Sequence, residues 1–317
     1  MREITVGAND AGQRLDKFLL KLMPSMPENM LYKGLRKELV RLNGKHAKDA
    51  SVKIKKDDVL KLYFKEEFYE KDTDRAFMNL IPKVNVIYED SNIILADKPQ
   101  GMSVHEDETG SIDTLINHIK CYLWKKGEYD IDNEQSFAPS LCNRIDRNTK
   151  GIVIAAKNAE ALRIMNEKIK NREIEKYYIC AVFGILKKKQ ATLKAFLRRD
   201  EKKKQVYIYD KPVAGGKTII TEYKVLAEKN NKSLLEVHLK TGRTHQIRAH
   251  FAHIGYPLVG DGKYGDGNKN REIGVSYQAL CSNRLKFDFK TDSGILEYLD
   301  GKEFSLGEIP FYELLEN

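Results

Sequence analysis

A loop rich in charge runs directly into an uninterrupted apolar segment, and this junction constrains the fold of the chain more than any other feature. The apolar segment is the five-residue run Ile152 to Ala156. A run of this length that follows a turn is typical of a buried strand. The preceding loop, residues 143–151 with the sequence NRIDRNTKG, is therefore expected to lie at the edge of a hydrophobic core.

This loop carries one carboxylate, Asp146, between Arg144 and Arg147. Because nearby positive charge favours the charged form of a carboxyl group, we expect Asp146 to be ionised. An ionised carboxylate in a fixed position can act as a nucleophile. The alternative is that Asp146 is a loop or capping residue among solvated surface charges. The loop by itself leaves both interpretations open.

The length and composition indicate a globular protein. The 317 residues, 41% of them hydrophobic, can form one large domain or a large domain with a small one. There is no apolar run of about 18 residues and no apolar N-terminal segment of the signal-peptide type. We therefore expect a soluble cytoplasmic protein without a membrane partner. We also expect it to be a monomer.

Cysteine usage gives no sign of a metal or redox centre. The four cysteines are widely separated and form no CxxC pair; they are Cys121, Cys142, Cys180 and Cys281. Zinc ribbons and redox motifs need closely spaced pairs. We therefore predict free thiols in a reducing compartment and no metal site.

The net charge of +9 and the pI of about 9.1 favour a nucleic-acid partner. The distribution is more informative, because residues 163–217 contain sixteen Lys or Arg against six Asp or Glu. Such segments are often solvated loops. Interleaved tyrosines also make this segment suitable for contacting RNA phosphates and bases; they are Tyr177, Tyr178, Tyr207 and Tyr209.

The first sixty residues have the pattern of a small separate module. Leucines and Phe18 recur at helical spacing from Leu15 to Leu22, and leucines do so again from Leu31 to Leu39. Asn43-Gly44 predicts a hairpin turn, and short strands are expected at residues 52–55 and 59–64. Residues 13–64 contain thirteen Lys or Arg and six Asp or Glu.

Two helices, the second of them basic, followed by the turn RLNGK, closely resemble the S4-like RNA-binding domain. That resemblance implies that the basic helix face and the turn contact structured RNA. The residues concerned are Lys33, Arg36, Lys37, Arg41, Asn43 and Lys45. A generic helix-hairpin module with an incidental basic face is the alternative. The prediction is a domain at residues 1–66 and a charged linker at residues 67–83.

From residue 84 onward, strands alternate with helices and loops. Ile93 to Ala96 predicts a buried strand, and residues 218–226 and 233–240 predict an antiparallel pair. One helix is expected after Asn158, and another carries Ile247, Phe251 and Ile254 inward before Gly255 and Pro257. The fold class predicted for residues 84–317 is α+β with a mixed, largely antiparallel central sheet.

The segment 241–265, TGRTHQIRAHFAHIGYPLVGDGKYG, places polar side chains at the start of the second of these helices. Backbone amides at a helix N-terminus, together with Arg243, Thr244, His245 and Arg248, suit an anion, either a phosphate or the Asp146 carboxylate. GDGKYG formally fits GxGxxG, but no βαβ unit surrounds it. The histidines lack an HExxH pattern or a Cys pair, so metal binding is disfavoured.

Three blocks, ADKPQGMSVH, NRIDRNTKGIVIAAK and the 241–265 segment, resemble in order and spacing the signature of the RluA family of pseudouridine synthases. The resemblance spans residues 84–285. It implies an isomerase that detaches the uracil of an RNA uridine, rotates it and rejoins it through carbon 5, without a cofactor. With the S4-like module, it favours members that act on large-subunit ribosomal RNA.

Carried over to this sequence, the resemblance assigns Asp146 as the catalytic residue, Tyr178 as the ring that stacks on the target base, and Arg248 as the partner of Asp146. Tyr178 as an ordinary sheet residue and Arg248 as a phosphate contact remain alternatives. Further substrate-binding residues are expected in the same blocks: Arg144, Arg147, Thr149, Arg243, Thr244, His245, Gln246 and His105. The carboxylate could attack the ribose or remove a ribose proton.

The chain departs from the family pattern at Asn143, Ile145 and Lys150, where His, Leu and Ser or Gly are usual. These departures put the identity of the RNA in more doubt than the activity. The alternatives are an enzyme acting on tRNA and a non-catalytic RNA-binding or ribosome-assembly factor on the same scaffold. A methyltransferase is disfavoured because no Gly-rich strand-to-helix turn suits an adenosyl cofactor.

Overall fold

The computed structural model describes residues 1–69, 75–106 and 110–316. The first unit consists of two helices and a four-stranded antiparallel sheet of order β1-β4-β2-β3. Its elements are β1 (Arg2–Thr5), α1 (Leu15–Leu22), α2 (Glu28–Arg36), β2 (Val40–Leu42), β3 (Lys45–His46) and β4 (Val59–Leu62).

Both predicted helices of the first unit are present, and α1 buries Leu15, Phe18, Leu19 and Leu22. The Asn43-Gly44 turn joins β2 to β3, with positive φ at both residues, as a tight hairpin of this type requires. The strand predicted at residues 52–55 is wrong. The segment alternates in polarity because Ile54 is buried. Its backbone forms hydrogen bonds with residues 12–15, but these make only one isolated β-bridge, between Lys53 and Arg14, and no strand.

The second unit contains one large sheet of eleven strands. Nine of them follow the order β11-β10-β12-β13-β9-β14-β8-β6-β5, while β15 pairs with β14 and β7 pairs with β8. The strands are β5 (Asn85–Glu89), β6 (Ile93–Lys98), β7 (Ser140–Leu141), β8 (Lys150–Ala156), β9 (Ile174–Phe183), β10 (Gln190–Asp200), β11 (Gln205–Tyr209), β12 (Lys217–Lys229), β13 (Lys232–Leu239), β14 (Leu280–Phe287) and β15 (Glu303–Ser305).

Within the described ranges, the large sheet has one parallel contact, between β14 and β8, which pairs Cys281 with Lys150 and Ser282 with Gly151. Gly151 has a φ of +117°, and a Cβ atom there would lie 2.3 Å from the Ser282 carbonyl oxygen. Only glycine fits so close an approach. The loop that carries Asp146 therefore enters the sheet where β8 and β14 lie too close together for a side chain.

Helices cover parts of this sheet. They are α3 (Leu115–Lys125), α4 (Ala159–Lys170), α5 (Gln246–His253) and α6 (Gly267–Glu272). The two helices predicted for this region are α4, capped by the Asn158 side chain on the amide of Ala161, and α5, which buries Ile247 and Phe251. Gly255 follows α5 with a positive φ, as the C-cap pattern predicted.

The hydrophobic interior confirms the α+β class, with helices packed on a mixed, largely antiparallel sheet. The first unit has its own core, which includes Tyr69, whereas Phe77 is buried in the core of the second unit. Two short 3-10 turns, Glu66–Tyr69 and Ala76–Asn79, overlap the linker predicted at residues 67–83, and its residues 70–74 lie outside the described ranges.

Polar contacts join the first unit to the second. Asn9 Nδ2 donates to Glu134 Oε1 at 2.8 Å, Gln13 Nε2 donates to Ser136 Oγ at 2.8 Å, and Arg163 Nη1 donates to the carbonyl of Ala11 at 2.7 Å. None of the helices in the described parts of the chain has the length and hydrophobicity needed to cross a bilayer.

Candidate active site

A cavity of about 500 Å³ lies between the 143–149 loop, β9 and the segment that joins β13 to α5. Nine of the eleven residues that the sequence predicts for catalysis or substrate binding line it. They are Arg144, Asp146, Thr149, Tyr178, Arg243, Thr244, His245, Gln246 and Arg248. The loop and the segment that begins α5 are far apart in the chain, and the sheet brings them together.

Hydrogen bonds within the protein hold the Asp146 loop in place. The amide of Thr149 donates to the Asp146 carbonyl at 3.0 Å, and Gln278 Nε2 donates to Thr149 Oγ1 at 3.2 Å. Thr149 is buried, and so is the side chain of Ile145. Since Ile145 and Thr149 are buried on either side of it, the partly exposed Asp146 side chain is held by this turn so that it lines the cavity.

Arg248 is shared between two carboxylates. Its Nε and Nη2 donate to Asp261 at 2.7 and 2.9 Å, and its Nη1 donates to Asp146 Oδ2 at 2.8 Å. Burial alone would lower the pKa of Arg248, but the hydrogen bonds and charges of Asp261 and Asp146 raise it. The guanidinium is therefore permanently charged and oriented toward Asp146 by a bidentate contact on its other edge.

Asp261 is the residue that holds this arrangement in place. It is fully buried, and its Oδ1 also accepts from the amides of Lys263 and Tyr264 at 2.8 and 3.0 Å. Burial would raise the pKa of Asp261, but the hydrogen bonds and charge of Arg248 and these amides lower it. The GDGKYG turn, which the sequence excluded as a nucleotide site, thus anchors Arg248.

Tyr178 forms an aromatic part of the cavity wall. It lies on β9 and is 7% exposed, next to Leu280 and Leu239 of the same wall. Burial raises the pKa of Tyr178 to about 12, so the phenol is neutral. A flat, neutral ring in an apolar wall is suited to stack on a base that has left its helix.

His245 lies beside Asp146 at the start of α5. Its backbone is in the left-handed region with a φ of +53°, its Nε2 is 3.9 Å from Asp146 Oδ2, and its Nδ1 is 2.9 Å from the hydroxyl of Tyr264. His250 contacts Thr221, and His253 pairs with Asp210. The three histidines therefore have separate protein partners.

Lys98 was not identified from the sequence, although it lies in the ADKPQG block. It is fully buried, and its Nζ donates at 2.8 Å to three carbonyls, those of Pro99, Met102 and Arg147. Burial lowers the pKa of Lys98 to about 8, against the opposing charges of Asp146 and Asp97. Lys98 thereby ties the KPQG turn to the Asp146 loop.

Two predicted residues lie outside the cavity wall. Arg147 points away from it, and its Nε donates to the Gly101 carbonyl at 2.9 Å, while His105 is exposed. Gln246 is in the wall, but its amide is occupied, because it accepts from Thr241 and from the amide of Arg243 and donates to Thr221. Arg147 and Gln246 thus join loops in this structure.

The family departures have different surroundings. Asn143 lines the cavity, and its Oδ1 accepts from the amide of Ile154 at 2.8 Å. Lys150 is half-buried beside the carboxyl end of β6, with its Nζ 4.0 Å from Asp97 Oδ2. Asn143 therefore contributes to the strand that follows the loop, and Lys150 is not part of the cavity wall.

A groove with positive charge continues from the cavity. It shares Ile169, Lys176, Leu239, Gly242 and Arg243 with the cavity wall. Five basic side chains line it against the single carboxylate of Glu175; they are Lys170, Arg172, Lys176, Lys240 and Arg243. The tip of the β10–β11 hairpin adds Arg199, which lines the cavity itself.

The residues predicted to bind RNA in the first unit lie together on α2 and the β2–β3 hairpin. Lys33, Arg36, Lys37 and Lys45 are exposed. Arg41 is half-buried over the ring of Tyr63. Asn43 bonds with its side chain to Asp58 and to the amide of Val59, so it holds the hairpin against β4.

Comparison with known proteins shows which family has a sequence similar to the part of the chain that forms this cavity. A family profile described as RNA pseudouridylate synthase matches residues 92–253, which include Asp146, Tyr178 and Arg248. The chain is 32% identical over 265 residues to ribosomal large subunit pseudouridine synthase D of Borreliella burgdorferi, covering 83% of this chain and 78% of the relative.

Other relatives extend over almost the whole chain. An uncharacterized RNA pseudouridine synthase of Mycoplasma genitalium is 33% identical, covering 96% of this chain and 95% of the relative. Ribosomal large subunit pseudouridine synthase C of Vibrio parahaemolyticus is 28% identical, covering 93% of this chain and 90% of the relative.

Among solved structures, human RNA pseudouridylate synthase domain containing 1 matches with a TM-score of 0.54 and 21% identity, covering 67% of this chain and 81% of that one. This likeness concerns the fold. The family match and the identity to relatives over most of the chain agree with the resemblance predicted from the three sequence blocks. The chain belongs to the RNA pseudouridylate synthase family, and its activity is that of an isomerase that forms pseudouridine in RNA.

Proposed function

We propose that Asp146 is the catalytic carboxylate and that the enzyme modifies uridines of large-subunit ribosomal RNA, aided by residues 1–66 as an S4-like RNA-binding domain. The observation that carries the proposal is the contact of Asp146 with Arg248 in a cavity walled by Tyr178. Arg248 holds the Asp146 carboxylate at the cavity through a charge-assisted hydrogen bond of 2.8 Å, and a carboxylate fixed in this way can act on a bound ribose.

The reaction breaks the bond between ribose carbon 1′ and uracil N1, forms a bond from carbon 1′ to uracil carbon 5, removes the proton of carbon 5 and leaves a proton on N1, so the product is an isomer of the uridine. The target uridine must leave its helix to reach Asp146. The Tyr178 ring replaces part of the lost stacking, worth about 1 to 3 kcal/mol per base. Asp146 then either attacks carbon 1′ or removes a ribose proton.

The RNA strand on either side of the flipped base needs positive charge along its path. The groove that leaves the cavity past Lys170, Arg172 and Lys240, and Arg199 at the hairpin tip, supplies that charge. Phosphate contacts of this kind give affinity and position, not sequence preference. The first unit supplies further positive charge for the RNA on the exposed face of α2.

The choice of large-subunit ribosomal RNA rests on the first unit and on relatives whose names state that substrate. The test is to incubate the purified protein with transcribed large-subunit rRNA and, separately, with transcribed tRNA, and to map pseudouridine by chemical labelling. Site-specific conversion of the rRNA supports the proposal. Conversion of tRNA alone would contradict the substrate, and conversion of neither would contradict the catalytic assignment.

A further inference from the structure

Tyr264 connects three parts of the site. Its hydroxyl accepts a hydrogen bond from the Val206 amide of β11 at 3.0 Å and lies 2.9 Å from His245 Nδ1. Its ring packs edge to face with His245, and the Arg248 guanidinium carbon lies 5.3 Å from the ring centre. We propose that Tyr264 is a positioning residue that fixes His245 as the neutral tautomer with its proton on Nε2, directed at Asp146.

The direction of the hydrogen bonds follows from the donors available. The Val206 amide can only donate, so the Tyr264 oxygen accepts from it and its own hydrogen is free to donate. Among the described residues, the available acceptor for that hydrogen is His245 Nδ1. If Nδ1 carried the proton, the phenol hydrogen would lose its partner. Nδ1 is therefore the acceptor, and the ring proton is on Nε2.

The charges around His245 agree with a neutral ring. Burial lowers the pKa of His245; Asp146 and Asp261 oppose this, while Arg248 and Lys263 lower it further. A neutral ring directs its Nε2 hydrogen toward Asp146 Oδ2, 3.9 Å away, without adding a second full positive charge beside Arg248. The left-handed backbone of His245 is a conformation that side chains rarely adopt, and such strain persists where the surrounding structure enforces a geometry.

The arrangement makes the two oxygens of Asp146 unequal. Both Arg248 Nη1 and His245 Nε2 face Oδ2, at 2.8 and 3.9 Å. Oδ1 has no hydrogen-bond or ion-pair partner among the residues described. Oδ1 is therefore the oxygen left for the ribose. This consequence rests on the proposed function, whereas the tautomer of His245 does not.

The tautomer can be measured by long-range proton–nitrogen NMR of the full chain labelled with ¹⁵N-histidine, with His245→Gln to assign the signal. At pH 7 we expect a hydrogen on Nε2 and an unprotonated Nδ1 in the wild type. In Tyr264→Phe, which keeps the ring over Arg248, we expect a mixture of tautomers. The matched control, Tyr256→Phe, changes a tyrosine outside the cavity wall and should leave the spectrum unchanged.

The rate provides a second readout. In Tyr264→Phe we expect kcat for pseudouridine formation to fall about tenfold while KM for the RNA stays unchanged. A proton on Nδ1 or on both nitrogens in the wild type would overturn the inference, and so would an unaltered tautomer in a folded Tyr264→Phe. The wild-type spectrum decides even if that variant does not fold. An inactive wild type with the expected spectrum would contradict only the proposed function.

Discussion

The charge of the site is organised around one buried guanidinium. Arg248 contacts two carboxylates, but their surroundings differ, because Asp261 is fully buried and Asp146 faces the cavity. Asp261 neutralises and orients Arg248, and the remaining edge of the guanidinium is offered to Asp146. A buried pair of this kind depends on both partners, since the loss of one leaves an unpaired charge.

Replacing Asp261 by Asn should therefore lower the free energy of unfolding by about 3 kcal/mol and reduce the rate of pseudouridine formation. Urea unfolding and a rate assay measure the two effects. The control is Asp210→Asn, which breaks the exposed pair with His253 and should cost less than about 1 kcal/mol. An Asp261→Asn enzyme with wild-type stability and rate would show that Arg248 does not depend on Asp261.

The pH dependence of the rate should report Lys98. Its pKa of about 8 means that the ammonium, with three N–H donors for three carbonyls, loses one donor as the pH rises through 8. We expect kcat to fall across this range. Between about pH 8 and pH 10.5 the unfolded chain binds more protons at Lys98 than the folded protein does. The contribution of Lys98 to the free energy of unfolding therefore increases as the pH rises through this range.

Deprotonation of Lys98 therefore does not lower kcat by unfolding the protein. Measuring kcat and the thermal midpoint of unfolding from about pH 7 to 9 separates an effect on catalysis from an effect on stability. In Lys98→Met the step at pH 8 should disappear from an already lowered rate. A wild-type kcat that is constant through pH 8, or that falls only together with the thermal midpoint, would argue against this role.

The family motifs predicted Asp146, Tyr178 and Arg248 as site residues, and the structure brings the three together in one cavity, while their roles stay predictions. The arginines next to Asp146 show the limit of local pattern: Arg147 is adjacent in sequence but bonds to Gly101, whereas Arg248 is distant and reaches the carboxylate. Lys98 and Asp261 were missed because their function is to hold backbone and guanidinium groups that only the folded chain brings near them.

At the level of elements, the parallel contact of β8 with β14 sets the position of the Asp146 loop. Gly151 is paired with Ser282 in this contact, and its backbone conformation and closeness to Ser282 exclude a side chain. The apolar run Ile152 to Ala156 predicted a buried strand, and β8 is fully buried from Gly151 onward. The parallel partner could not be predicted, because β14 is distant in the sequence: Ser282, whose hydroxyl donates to the Ile152 carbonyl, lies 130 residues after it.

Gly151→Ala should lower the free energy of unfolding by about 3 kcal/mol, because the added carbon would overlap the Ser282 backbone at a positive φ. It should also slow catalysis by shifting the loop. Chemical denaturation and the rate assay measure both effects. Gly267→Ala, where nothing lies within 4 Å of the new carbon, should change stability by less than about 0.5 kcal/mol. Equal effects at both positions would contradict the argument.

At the scale of the whole molecule, the small basic unit has its own hydrophobic core, separate from the core beneath the sheet that carries the cavity. The helical periodicity and the Asn43-Gly44 turn predicted most of the small unit. The alternation of polar and apolar residues at 52–55 wrongly predicted a strand, because the burial of Ile54 in a loop gives the same pattern. The polar contacts between the units, such as Asn9 to Glu134, have no local signature in sequence.

If the small unit binds RNA through α2, Lys33→Glu with Arg36→Glu should weaken binding to structured rRNA and lower the slope of log affinity against log salt by about 1 to 2. The value of kcat at saturating RNA should not change. The control, Lys17→Glu with Lys21→Glu, makes the same charge change on exposed positions of α1. Filter binding over a salt series measures both, and equal losses in the two variants would point to net charge alone.

The most direct test of the central claim compares wild type with Asp146→Asn on large-subunit rRNA that carries tritium at carbon 5 of uridine. Formation of the bond from carbon 1′ to carbon 5 releases that tritium to water, so single-turnover release reports the chemical step. We predict release by the wild type and none above background by Asp146→Asn, with RNA affinity retained within about threefold. Tritium release by Asp146→Asn within about tenfold of the wild-type rate would contradict the assignment of Asp146 as the catalytic carboxylate.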